Sequence, residues 1–138
     1  MRHALPDGWS IEIPEGYEKI GLPDYTIWMD ALESGKFEKT KNVLCDGNGY
    51  CCMGVLSKIQ GRLTEDGLDG LSEYRDETGI SKDNPCYEFL NCEGHLPMAI
   101  RAYNPNGSYA QHLSNVNDGT DTFEVVIAII KLLWKPLD

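Results

Sequence analysis

Residues 42–59, NVLCDGNGYCCMGVLSKI, change their periodicity midway. Two short apolar segments flank the turn formers Asp46 to Gly49, the pattern of a β-hairpin. From Cys52 onward the apolar positions are Cys52, Val55, Leu56 and Ile59, a helical spacing that Gly61 ends. Strand and helix succeed each other within one short stretch, which predicts an α+β chain. Cys51 and Cys52 lie at the junction, and their role there separates an enzyme, a metalloprotein and a binding protein.

Upstream, WSIEI (9–13) reads as a strand closed by Pro14 and Gly16. The stretch PDYTIWMDALESGKF (23–37) reads as a helix, with Pro23 near its first turn, Trp28 and Leu32 on one face and Gly35 at its end. Residues 61–85 are polar and rich in turn formers, which marks a loop-rich insertion. CYEFLNC (86–92) is expected as a strand, LPMAIRAY (96–103) as a short helix starting at Pro97, and SYAQHLSNVNDG (108–119) as a connector. Asp121 followed by Glu124 resembles a capping box ahead of FEVVIAIIKLLW (123–134), whose apolar residues lie nearly all round a helix. Its β-branched Val and Ile residues leave a strand as the alternative for the first half. The expected architecture is one α+β domain over 1–138, with about three helices, short and mostly antiparallel strands, and a flexible segment at 1–8.

The chain has 138 residues, enough to bury a core without staples, and its 41% hydrophobic and 25% charged residues are those of a globular protein. The longest apolar run, Val125 to Ile130, is too short to cross a bilayer, and MRHALPDGWS lacks the apolar stretch of a signal peptide. A cytoplasmic location and no membrane partner are therefore expected. With 22 acidic against 12 basic residues the net charge is -10, and the basic residues are scattered. That leaves no footprint for direct nucleic-acid binding. An acidic surface keeps a protein in solution, and it also suits a basic partner.

The five cysteines, 45, 51, 52, 86 and 92, are odd in number, and adjacent cysteines rarely bond to each other. Thiols are expected in a reducing compartment. Cys45 and Cys51 enclose five residues, as do Cys86 and Cys92, with His95 close behind. Structural zinc sites use tighter spacings than these, so no metal site is expected. A cysteine at a helix start is also where papain-like hydrolases hold their nucleophile, since the helix dipole stabilises a thiolate. Such an enzyme needs a histidine base. His95 and His112 are the candidates, neither on a convincing strand, and His3 lies in the expected flexible segment. Core packing of the cysteines is the favoured reading, with no catalytic residue and no cofactor. In SNVNDGTDTF (114–123) the oxygen donors Asn115, Asn117, Asp118 and Asp121 are spaced roughly as in a calcium loop. The loop lacks the bidentate glutamate at the required distance, which favours a turn and helix cap.

Three blocks carry a family resemblance. WMDALESG (28–35) fits Trp-x-x-Ala-Leu-x-Ser-Gly, and YCCMGVL (50–56) fits aromatic-Cys-Cys-Leu-Gly-Val-Leu with Met53 for leucine. VNDGTDTFEVVI (116–127) follows Leu-Asn-Asp-x-Gly-x-x-Phe-x-x-Ile through Asn117, Asp118 and Phe123, with Val116 for leucine and Gly119 one place early. In this order the blocks resemble a family of small accessory proteins encoded by bacteriophages and prophages. The resemblance implies an origin more than an activity, and by analogy a role in countering host defence.

Two functions are expected from these readings. The first is a non-catalytic protein that sequesters a small nucleotide signal, with Trp28, Tyr50, Cys51, Arg75, Arg101, Asn117, Asp118 and Thr120 as the candidate ligand-binding set. An anionic ligand would then need a local basic pocket, and a homo-oligomer would suit a site between subunits. The second is an acidic inhibitor of a host protein.

Overall fold

A computed structural model describes residues 2–39, 49–59, 86, 89, 92 and 94–137. The hairpin expected at 42–51 lies mostly outside these residues, and the insertion at 61–85 lies wholly outside them. The architecture is α+β. Strands β1 (Arg2–Ala4), β2 (Ser10–Glu12), β4 (Ala102–Tyr103) and β5 (Tyr109–Ala110) form an antiparallel sheet in the order β1-β2-β4-β5. Strands β3 (Ile20–Leu22) and β6 (Trp134–Pro136) form a separate parallel pair, in register Ile20 to Trp134. Four described α-helices complete the fold: α1 (Tyr25–Glu33), α2 (Cys52–Ile59), α3 (Leu113–Asp118) and α4 (Glu124–Leu133).

Helix α1 buries Trp28, Met29 and Leu32, and its exit is set by Gly35 at φ +76, a left-handed position where a Cβ is costly. Helix α4 buries Val125, Val126, Ile129, Ile130 and Leu133, the two-abreast stripe of a core helix. That burial overrides the β preference of its Val and Ile residues, and the strand alternative does not hold. The expected capping box is also replaced: the Glu124 amide donates to Thr122 Oγ1 at 3.3 Å, and Phe123 occupies the cap position. The chain then turns at Trp134 into β6, while the Tyr17 hydroxyl donates to the Leu133 carbonyl at 2.7 Å.

Other segments depart from expectation. Arg2–Ala4, placed in a flexible segment by sequence, pair with β2 from Arg2↔Glu12 to Ala4↔Ser10. At 86–92, Cys86 and Cys92 lie in turns and Phe89 has helical backbone, so the strand is absent at the described positions. Pro97–Ala99 make a single 3-10 turn, because Met98 and Ala99 take left-handed backbone (φ 53 and 58) and the chain continues as β4. The connector 108–119 contains β5 and α3. Residues 94–96 and 111–113 are joined by Leu96 N–H to Gln111 O at 2.7 Å and Leu113 N–H to Gly94 O at 3.0 Å. Helices α1, α2, α3 and α4 pack in succession against one shared core, with β6 against α1 and α4.

Candidate functional site

The cysteine junction is built from three distant segments. Cys51, Cys52, Met53, Val55 and Leu56 are all fully buried. The Cys52 amide, at the start of α2, donates to Asn117 Oδ1 of α3 at 3.1 Å. A side chain 65 residues away therefore supplies the acceptor for the first amide of α2. On the other side, the Trp28 indole donates to the Cys52 carbonyl at 2.9 Å. The Gly54 amide points at Cys51 Sγ, 3.4 Å away. Gly94 closes the junction: a Cβ there would meet Leu113 Cβ at 2.9 Å and Met53 Cε at 3.1 Å, at φ +69.

These contacts decide what the cysteines do. Burial, followed by the neighbouring Cys51, pushes the Cys52 thiol well above its ordinary value of 9.0, the opposite of an activated nucleophile. The two histidines weighed as bases face each other instead, across a backbone bridge with ring centroids 4.7 Å apart. The raised Cys52 pKa has a defined consequence for stability. The native thiol stays protonated where the unfolded one ionises, so its contribution is complete below pH 9.0 and is lost as pH rises above that value. Urea melts should show a Cys52→Ala variant losing less stability than the parent protein between neutral and alkaline pH. The difference should approach, at most, about 1.4 kcal/mol per pH unit; identical slopes would contradict this account.

The structure brings Trp28, Cys51 and Asn117 together around α2, but as framework. Trp28 is fully buried and presents no ring face to a ligand. Thr120 is buried too, its hydroxyl within 3.1 to 3.3 Å of the carbonyls of Val116, Asn117 and Thr122, one of which takes its single proton at a time. Asp118, half-buried, accepts from Asn117 Nδ2 at 3.4 Å, and half-buried Tyr50 packs edge-on against Phe37 with centroids 5.3 Å apart. Arg101 stands apart on the sheet, and Arg75 lies outside the described residues. Within 114–123, Asn117 Oδ1 is taken by the Cys52 amide and the Thr120 hydroxyl by backbone carbonyls of its own turn. Among the described residues, no three His, Cys, Asp or Glu are grouped to hold a metal, and no helix is long and apolar enough to cross a membrane.

An open concavity lies elsewhere. A cleft of about 780 Å³ runs between α1 and α4, floored by Leu32, Phe37, Phe123 and Ile127. Its rim carries four carboxylates, Glu33, Glu38, Asp121 and Glu124, against the two ammonium groups of Lys39 and Lys131. Both cations are engaged: Lys131 Nζ lies 3.1 Å from Glu33 Oε2, and Lys39 donates to the Thr120 carbonyl. Sequence reasoning missed this site because its walls come from 32–39 and 121–131, which share no motif. The one available signal was the near-complete apolar girdle of α4, which leaves Ile127 and Ala128 only half-buried.

A family model described as a domain of unknown function, DUF8296, matches residues 25–133, from the start of α1 to the end of α4. No curated protein and no solved structure matches the chain.

Proposed function

The chain belongs to the DUF8296 domain family, and from the geometry of the cleft we propose that it is a non-catalytic binding protein whose α1–α4 cleft takes a basic, amphipathic segment of another protein. The observation that carries this is the composition of the cleft, an apolar floor inside a rim with twice as many carboxylates as ammonium groups. Apolar side chains of a partner gain by burial on that floor, and its lysines or arginines meet a rim rich in carboxylates. The net charge of -10 steers such a partner from a distance. Sequestration of a nucleotide in this cleft would place phosphate among those carboxylates. A like-charge contact at 4 Å costs about 1 kcal/mol in water and more where solvent is excluded.

The buried, proton-retaining Cys52 supports a role without catalysis. The resemblance to phage accessory proteins supplies the setting, in which the partner is a basic surface of a host defence protein in the host cytoplasm.

The proposal is tested by calorimetric titration with a synthetic Leu/Lys amphipathic helix. Binding is expected to weaken between low and moderate salt. Ile127→Arg should weaken it by about tenfold or more, because it removes apolar floor and adds like charge. Glu18→Lys, an exposed change outside the cleft lining, should leave it within about twofold. Equal losses in the two variants would mean that the peptide senses only net charge, and the cleft proposal would fail.

A further inference from the structure

The register of the four-stranded sheet sorts its side chains by face. Ile11, Ala102 and Ala110 are buried and pair across β2, β4 and β5. The alternate positions point outward and carry Arg2, Ser10, Glu12, Tyr103 and Tyr109, with Arg101 immediately before β4. The Arg2 guanidinium lies over the Tyr103 ring, 4.7 Å from its centroid, and the Arg101 guanidinium lies over the Tyr109 ring at 4.2 Å. The two tyrosines stand 6.4 Å apart. The contacts therefore run from Arg2 to Tyr103 to Tyr109 to Arg101, with Arg101 and Tyr103 on the β4 segment and Tyr109 on the edge strand β5.

The charges on this face are the reverse of those in the cleft. Arg2 is shared with Glu12 at 3.6 Å and donates to Ser10 Oγ at 2.8 Å. Arg101 is exposed and has no carboxylate partner among the described residues. In a chain of net charge -10, a guanidinium without a carboxylate partner, held over an exposed tyrosine ring, is a departure from the rest of the surface. Guanidinium forks bind phosphate through paired N–H groups, and their planes, like tyrosine rings, stack on nucleobases.

We infer that this Arg–Tyr–Tyr–Arg face is a second binding site, independent of the cleft, for a small phosphorylated aromatic molecule of the nucleoside monophosphate class. Arg101 takes the phosphate, and the base stacks on one ring, that of the exposed Tyr109, with the Tyr103 ring inclined beside it at 61°. The strands that build the face are only two or three residues long, and the acidic surroundings repel an extended polyanion, so a single nucleotide fits better than a nucleic-acid strand.

The test is a titration of the full chain with adenosine 5′-monophosphate, read by the NMR signals of the tyrosine rings. Adenosine, inorganic phosphate and a single-stranded oligoadenylate are run beside it. Saturable binding of the monophosphate with shifts at Tyr103 and Tyr109 is expected, with adenosine and phosphate each weaker. Arg101→Gln should lower the affinity about tenfold and Arg101→Lys less, because lysine keeps the charge without the fork. Both variants should melt with the parent protein, and Ile127→Arg in the cleft should bind the nucleotide normally. Absence of saturation in the millimolar range, retention of affinity in Arg101→Gln, or tight oligoadenylate binding without monophosphate binding would each overturn the inference.

Discussion

Replacing Trp28 by alanine is expected to cost about 3–5 kcal/mol of folding stability, the range for truncating a large buried aromatic side chain. Trp28 has no exposed surface. Its ring meets Phe89 edge-on at 5.6 Å, and Phe89 in turn meets Trp134 at 5.4 Å, so the indole links α1 to β6 through an aromatic chain. Its N–H also satisfies the carbonyl of Cys52. A small domain holds only about 5–15 kcal/mol in total, so the alanine variant should be close to half-unfolded in mild urea. Trp28→Phe keeps most of the ring and loses the hydrogen bond, for an expected cost of about 1–3 kcal/mol. Urea melts of both variants measure this. A Trp28→Ala cost no greater than that of Trp28→Phe would mean that the ring is not seated as described. Neither variant removes a lining residue of the cleft, so any residual folded fraction should still bind the basic peptide.

Asn117→Leu is the second large effect, expected at about 2–3 kcal/mol. The substitution keeps an apolar volume in a fully buried position but takes away the oxygen that caps α2. The Cys52 amide is then left inside the core without that acceptor, and desolvating it is uncompensated. The signature is local as well as global. Hydrogen exchange at the Cys52 amide should accelerate relative to amides in the middle of α4, because the first turn of α2 opens before the whole protein does. A loss of stability with unchanged relative protection of Cys52 would show that the side chain acts through packing alone.

The two variants touch residues that sequence reasoning had already singled out, Trp28 and Asn117, and that reasoning gave them a different task. They were expected to face a ligand, and they face each other's neighbourhood across Cys52. Residue type marked them correctly, since an indole and an amide at buried positions must find partners. Which partner they find depends on where α1, α2 and α3 come to rest. The cleft shows the same limit more sharply. Its floor and rim are ordinary helix-surface and turn residues until α1 and α4 are set side by side.

Helices α1, α2 and α4 were legible because each repeats its buried positions within a window of a few turns, and Gly35 supplies a local stop. Helix α3, six residues long, is too short to show a period, and β6 begins directly where α4 ends. The α+β class, the expectation that Cys51 and Cys52 are buried thiols and the acidic balance were legible in the amino-acid order, because each follows from periodicity or from residue type. The cap on α2, the pairing of His95 with His112, the acid-rimmed cleft and the arginine–tyrosine face were decided only by the tertiary structure. Each joins side chains whose separation in space is set by how whole elements pack, and packing distances leave no periodic trace in the local sequence.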